Sequence, residues 1–371
     1  MKILFLSDQS SVHTKKWITS LAQKGVEIIL FSLNELNEEY YRDYKNVQLY
    51  NLNLPSELRF ESELSFSKLI YFRAVNKVKK LIKKIQPDLV HAHYLTSYGL
   101  LGALSNYHPL IISVWGTDIQ SFPYKSLFHK KIIKHNLKKA DKILATSNFL
   151  SREIKKFTNK EVEITPFGVD LNEFKPFKVN KPFNENDFII GTVKTLEKNY
   201  GIDILIKAFH LVKEKENNKH LKLLIVGGGS EEKKLINLTA HLKISDDIIF
   251  TGFVKHNLIP QYHNMMDVEV FLSNKEGFGV SIIEAMACGK PVVVSNVGGL
   301  PEIVNDGVEG LVVPTGNVEK AAEAIEKLIN DAQMRNRYGT SGILKVKTFY
   351  DWNKNVDQMI SIYNNIYQFK K

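Results

Sequence analysis

The segment Glu276-Gly277-Phe278-Gly279-Val280-Ser281-Ile282-Ile283-Glu284-Ala285-Met286-Ala287-Cys288-Gly289-Lys290-Pro291-Val292 sets two carboxylates eight residues apart among glycines. An apolar run at 268–272 precedes it and reads as a strand. A helix is predicted to begin near Gly279 and to stop near Gly289, where glycine supplies the left-handed cap. Gly277 and Gly279 leave backbone N–H groups uncovered at the helix start, and the positive end of the helix dipole points the same way. That is an anion site, suited to a phosphate or diphosphate. Glu276 falls on the loop at the carboxyl end of the strand, and Glu284 lies about 1.5 turns into the helix at ~3.6 residues per turn. A carboxylate beside a bound diphosphate is costly unless it meets donors, and sugar and ribose hydroxyls are such donors.

The elements that must position these groups recur along the chain. Short apolar runs lie at 3–6, 28–31, 89–93, 111–114 and 143–145, then at 188–193, 221–226, 248–250, 268–272, 291–294 and 311–313, with amphipathic stretches between them. They are rich in Ile, Val and Leu, and most do not alternate with polar residues, as in strands of a parallel sheet buried on both faces. The strand–helix–strand order predicts an α/β fold with open, doubly wound sheets. One interruption breaks the series. The stretch 170–187 carries Pro176 and Pro182 and no helical period, and reads as a linker.

Charge changes at the same place. Residues 1–176 hold 26 Lys and Arg against 17 Asp and Glu, whereas residues 177–371 hold 24 against 23. Two signals thus predict two Rossmann-like domains, 1–172 and 173–354, with a cleft between them. The length of 371 residues suits two domains, and 44% hydrophobic with 24% charged residues is globular composition. The single cysteine, Cys288, cannot form an internal disulfide. The apolar run after Met1 is too short for a leader core and ends at Asp8, so a cytoplasmic protein is expected. The longest stretch free of Asp, Glu, Lys and Arg, 89–117, contains His91, His93, His108 and Pro109 and does not read as a membrane span.

The 276–292 segment resembles the E-x7-E signature of the family-4 retaining glycosyltransferases, the GT4 type with a GT-B fold. The resemblance extends over nearly the whole chain. It includes Lys2-Ile3-Leu4, Pro166-Phe167-Gly168-Val169-Asp170, Leu224-Ile225-Val226-Gly227-Gly228-Gly229, Phe250-Thr251-Gly252-Phe253-Val254 and Val297-Gly298-Gly299-Leu300-Pro301-Glu302. It implies two Rossmann-like domains facing a central cleft. The C-terminal domain would bind a nucleotide-diphosphate sugar and the N-terminal domain the acceptor. The last helix, 355–371, would return to the N-terminal domain, in keeping with Trp352, Val356, Met359, Ile360, Tyr363, Ile366 and Tyr367 near helical spacing.

Carried over by residue, the resemblance gives Glu276 the donor sugar's hydroxyls and the oxocarbenium-like transition state. Glu284 would hold the ribose. Gly277 opens the anion loop, the backbone of Phe278, Gly279 and Val280 would meet sugar and diphosphate, and Phe253 and Val254 would lie near the base. The family's Arg and Lys on the diphosphate are absent. Aligned on Gly201, their positions hold Thr195 and Tyr200, so Lys194 and Lys198 are expected to substitute. No Asp-x-Asp occurs, and Asp267-Val268-Glu269 opens a buried strand, so metal-independent transfer with retention, without a cofactor, is expected.

On the acceptor side, many relatives carry a His-Gly-Thr-Asp-like segment. Here Trp115-Gly116-Thr117-Asp118 replaces it, and Trp115 can stack on a sugar face but cannot accept a proton. His93 and Asp118 are the candidates for proton handling. His91 shares a strand face with His93, and for both a satisfied buried role stands beside a functional one. His13 follows the first strand where relatives often carry a glycine pair, and either contacts the acceptor or caps the first helix.

A helix over 68–85 places Leu69, Phe72, Val75, Val78, Leu81, Ile82 and Ile85 on one stripe, with Lys68, Arg73, Lys77, Lys79, Lys80, Lys83 and Lys84 mostly elsewhere. With Lys130, Lys131, Lys134, Lys138 and Lys139, this basic face is either a solvated surface or a dock for an anionic membrane carrying a glycan or lipid-linked acceptor. Nucleic acid is not expected, since no zinc-finger spacing or RNP-like strand accompanies the charge. The alternatives are a catalytically degenerate protein that binds sugar nucleotide, a nucleotide-sugar epimerase, or a phosphorylase, which would need a pyridoxal-phosphate lysine. A dehydrogenase is weaker, because Gly227-Gly228-Gly229-Ser230-Glu231 lacks the G-x-G-x-x-G order.

Overall fold

The computed structural model describes residues 1–34, 39–54, 67–184, 186–216 and 220–368. The chain divides into two compact units, Met1–Pro166 with Asn355–Lys371, and Phe167–Lys354. The division lies at Pro166/Phe167, ahead of the expected 172/173. The backbone around Val169 is tied to the second unit, where Val169 N donates to Tyr350 O at 2.8 Å and Trp352 N donates to Val169 O at 3.0 Å.

The first unit holds a seven-stranded parallel sheet: β1 (Lys2–Leu6), β2 (Glu27–Asn34), β3 (Val47–Leu54), β4 (Leu89–His93), β5 (Leu110–Val114), β6 (Lys142–Ala145) and β7 (Val162–Ile164). Their spatial order is β3-β2-β1-β4-β5-β6-β7. The second unit holds β8 (Phe188–Val193), β9 (Leu221–Val226), β10 (Ile248–Phe250), β11 (Val268–Phe271), β12 (Val292–Ser295) and β13 (Gly310–Val313), in the order β10-β9-β8-β11-β12-β13. Both are doubly wound Rossmann-like sheets whose order reverses once, between β1 and β4 and between β8 and β11. Ligands of such sheets bind outside the carboxyl ends of the strands at that reversal.

The central strands are buried along their length, and their unbroken Ile, Val and Leu follow from helices covering both faces. Two strands were not legible in the sequence, β3 and β7. Both are sheet edges, and β3, Val-Gln-Leu-Tyr-Asn-Leu-Asn-Leu, alternates because only part of an edge strand is covered.

The last helix runs Trp352–Gln368, beginning before the expected 355. Trp352, Asn355, Val356, Met359, Ile362 and Tyr363 are its buried residues, whereas Ile360, Ile366 and Tyr367 are half-buried. Within the first unit, Gln358 Nε2 donates to Ile164 O at 3.1 Å, and Lys24 pairs with Asp357 at 2.7 Å. Residues 369–371 lie outside the described residues. The basic helix runs Ser67–Ile85 and buries Ala74, Val75, Val78, Leu81 and Ile82, leaving Arg73, Lys79, Lys80, Lys83 and Lys84 exposed. The side chains of Lys68, Leu69 and Phe72 lie outside those described.

Candidate functional site

In the second unit, the loops that leave β8 and β11 meet at the sheet's reversal. Lys194 follows β8 directly, and its Nζ donates to Glu276 Oε2 at 2.5 Å. The same ammonium lies 4.3 Å from the centroid of the Tyr200 ring, so the tyrosine at the family's lysine position holds a cation over its face. The Lys194 and Glu276 side chains are 13% and 14% exposed, which weakens solvent screening of their attraction. Lys198 is exposed, on the short turn Lys198–Tyr200.

Glycines fix the two loops through backbone contact. A Cβ on Gly298, whose φ is +59°, would stand 1.8 Å from Glu276 O. Gly299 N donates to Glu276 O at 3.3 Å. A Cβ on Gly227 would stand 2.1 Å from Lys194 O. The triple glycine after β9 is therefore a packing device for the Lys194 loop.

The helix Val280–Ala287 starts at Gly279, whose φ of 107° suits glycine and which has no side chain to cap the first turn. Phe278 is buried against Phe167 and Tyr350, with ring centroids 5.8 and 5.7 Å away, so its side chain anchors the loop and only its backbone faces the helix start. Phe253 is 79% exposed beside Gly228, and Val254 is half-buried. An exposed ring on the rim offers a stacking face.

Glu284 is buried on this helix. Its oxygens lie 3.8 Å from His256 Nε2 and 3.7 Å from His263 Nε2. Burial alone would raise its pKa, but the two histidines prevail and hold the carboxyl well below the usual carboxylate range. His263 Nδ1 in turn sits 2.8 and 2.9 Å from the two oxygens of Glu269 on β11. Burial would lower the His263 pKa, yet Glu269, with Glu284 behind it, raises it to about 9. Sequence reasoning missed both groups. The signal was present, since Glu269 is a charge inside an otherwise apolar strand. Its neighbour Asp267 accepts from Ile189 N at 2.8 Å and Lys181 Nζ at 3.0 Å, tying the linker to β8.

The first unit repeats the arrangement at its own reversal. Ser7, after β1, lies 3.1 Å from Nδ1 of His93 at the end of β4. His13, His93 and Tyr94 surround Trp115, with ring centroids at 5.8, 4.5 and 5.1 Å. His93 is buried, and desolvation, then His91 and His13, push its pKa well down, so the ring is neutral. His91 is a satisfied core residue between Tyr363 Oη (2.7 Å) and Ser113 Oγ (2.8 Å), and burial lowers its pKa to about 3.

Asp118 is buried, and its oxygens accept from Leu95 N at 2.8 Å, Gly116 N at 2.8 Å and Trp115 N at 3.5 Å. Burial raises its pKa against these bonds. Its geometry is that of a clamp on the β4 and β5 loops. A cavity of about 450 Å³ opens beside it, lined by Asp8, Tyr94, Thr96, Ser97, Tyr98 and Lys125 among others. The hydroxyls and rings there suit a sugar.

Comparison with known proteins agrees with this layout. Residues 173–345 match the family "Glycosyl transferases group 1", and residues 2–147 match "Glycosyl transferase 4-like". The chain belongs to the group 1 glycosyltransferases, of the GT4 type. It is 28% identical over 360 residues to an uncharacterized glycosyltransferase of Methanocaldococcus jannaschii, covering 96% of this chain and 94% of the relative. It is 34% identical over 249 residues to the capsular polysaccharide biosynthesis glycosyltransferase CapM of Staphylococcus aureus, covering 67% of this chain and 61% of CapM. Among solved structures it resembles Anabaena HepE in complex with UDP and glucose, with a TM-score of 0.79, 20% identity and coverage of 98% and 100%. That likeness shows the GT-B fold. Both Rossmann-like units of this glycosyltransferase therefore present their candidate groups where the fold itself places ligands.

Proposed function

We propose that this glycosyltransferase moves a sugar, with retention and without a metal ion, from a nucleotide-diphosphate sugar to a hydroxyl of a glycan or lipid-linked acceptor in cell-envelope polysaccharide synthesis. The observation that carries the proposal is the convergence of Lys194, Glu276 and the glycine-led start of helix Val280–Ala287 at the reversal between β8 and β11. In this reading the helix start and Lys194 take the charge of the departing diphosphate, with Lys198 nearby. Glu276 holds sugar hydroxyls and stabilises positive charge at the anomeric carbon, Glu284 holds the ribose, and Phe253 and Val254 flank the base. The bond from the anomeric carbon to the diphosphate oxygen breaks and the bond to the acceptor oxygen forms on the same face. The acceptor proton passes to the departing diphosphate, or to His93 against the burial that disfavours its charged ring.

Trp115 and His13 would line the acceptor. The UDP and glucose bound to HepE and the capsular role in CapM's name support the substrate classes. For the acceptor's setting, the helix Leu127–Lys139 offers an apolar tip, with Tyr124, Leu127 and Phe128 at 60%, 79% and 56% exposure beside exposed Lys125, Lys130, Lys131 and Lys134. This pattern fits peripheral docking on an anionic cytoplasmic membrane face. No helix among the described residues is long and apolar enough to cross a membrane.

A thermal-shift panel of nucleotide sugars tests the donor reading, because a bound donor raises the melting point by mass action. No shift with any donor overturns it. Activity lost to a chelator and restored by a divalent ion overturns the metal-free mechanism. Vesicle co-sedimentation indifferent to anionic lipid, or to Phe128→Asp, overturns docking. Release of free sugar from the donor without acceptor separates an enzyme from a degenerate binder.

A further inference from the structure

Glu269 and His263 are both fully buried, at 0% exposure. A buried ionic pair is often no more stabilising than two packed apolar residues of similar volume. Stability alone therefore gives little reason for a glutamate in the middle of Val268–Phe271. The pair is directional. Both Glu269 oxygens are on His263 Nδ1, which leaves Nε2 facing Glu284. Nε2 is buried and, among the described residues, has no hydrogen-bond partner. At 3.7 Å it fixes the charge and direction of Glu284 without consuming an oxygen's hydrogen bond. His256, on the other side at 3.8 Å, is 45% exposed and so faces solvent.

We infer that His263, oriented by Glu269, is a positioning residue for Glu284, and that it sets the enzyme's preference for a ribonucleotide over a deoxyribonucleotide donor. The inference rests on the donor reading of Glu284. The charged and titratable groups around His263 are Glu269 on β11, Glu284 on helix Val280–Ala287, His256 on the turn before helix Ile259–Met265, and Lys290 and Cys288 ahead of β12. The Phe174 ring, 5.9 Å away, closes the remaining side. Within this set His263 is the group that links the buried carboxylate to the ribose-binding one. Loss of its proton would leave Glu284 facing a neutral ring with Glu269 behind it, so the preference should weaken as pH rises past about 9.

The test uses the full chain and isothermal titration with UDP, GDP and their 2′,3′-dideoxy counterparts. The wild type is expected to favour the ribo form by about tenfold or more, the scale of a hydrogen bond to a charged group. In His263→Gln and Glu269→Gln, ribo-form binding should weaken by about tenfold while dideoxy binding stays within about twofold. The loss of preference at high pH should be absent in His263→Gln. A merely structural role would weaken both forms equally and leave the pH profile in place.

If both variants retain the wild-type preference, or weaken both forms alike, the positioning role is overturned. Should His263→Gln fail to fold, the isosteric Glu269→Gln decides alone. If the wild type binds neither ribonucleotide and no nucleotide sugar of the thermal-shift panel stabilises it, the donor reading itself fails. If it binds them without preference, Glu284 is not the ribose ligand.

Discussion

Gly298 holds the position of Glu276 through its lack of a side chain. An alanine there would take the left-handed φ of +59° and place its Cβ 1.8 Å from Glu276 O. The backbone conformation costs ~1–2 kcal/mol, and relieving a collision with packed backbone adds ~1–3 kcal/mol. Gly316 is the matched control, with φ +76° and nothing within 4 Å of a Cβ, so Gly316→Ala carries the conformational cost alone. At ~2–4 °C per kcal/mol for a domain of this size, Gly298→Ala should lower Tm by ~4–20 °C and Gly316→Ala by ~2–8 °C, the difference being the collision.

The loop must also shift to relieve the contact, which draws Glu276 away from the 2.5 Å contact with Lys194. Stabilisation by UDP should therefore shrink in Gly298→Ala and persist in Gly316→Ala. Scanning fluorimetry with and without UDP reads both effects. Equal Tm losses in the two variants, with the UDP response intact in both, would refute the claim that the 298–299 backbone sets the carboxylate.

Three further outcomes are expected. Lys194→Ala should weaken UDP binding about tenfold, ~1.4 kcal/mol by titration calorimetry, and unchanged affinity would show that Lys194 does not replace the family's basic pair. Trp115→Ala should raise the acceptor KM about tenfold while acceptor-free donor hydrolysis holds, as loss of a stacking face requires, and an equal fall in both rates would place Trp115 elsewhere. His91, at about 3 in the fold against about 6.5 unfolded, binds its proton only in the unfolded chain between those values. Its contribution is therefore present above about pH 6.5 and lost as pH falls toward 3. His91→Gln should flatten that acid decline in urea-unfolding midpoints from pH 7 to 4, and an unchanged decline would assign it to other groups.

Much of the architecture lies in local pattern. Eleven of the apolar runs coincide with strands because a parallel sheet covered on both faces demands unbroken apolar residues, and that demand is written residue by residue. The edge strands β3 and β7 escape for the converse reason, since one side of each is not paired. The helix start at Gly279 and its stop at Gly289 are legible because each needs a left-handed glycine, at φ 107° and +73°.

The neighbours of each functional group are a different matter. Lys194 and Glu276 are 82 positions apart, and only the adjacency of β8 and β11 at the reversal of strand order brings them to 2.5 Å. The same folding turns Glu269, which in sequence resembles half of a metal motif, inward onto His263. Asp118 likewise becomes a buried clamp on backbone N–H groups rather than an open carboxylate. Residue types and short spacings, by themselves, determine which segments become strands, where helix Val280–Ala287 begins and which family the chain resembles. Pairings across the sheet order, and the burial that moves each titratable group's pKa, exist only once distant segments are packed, because desolvation and charge contacts depend on distance in space rather than along the chain.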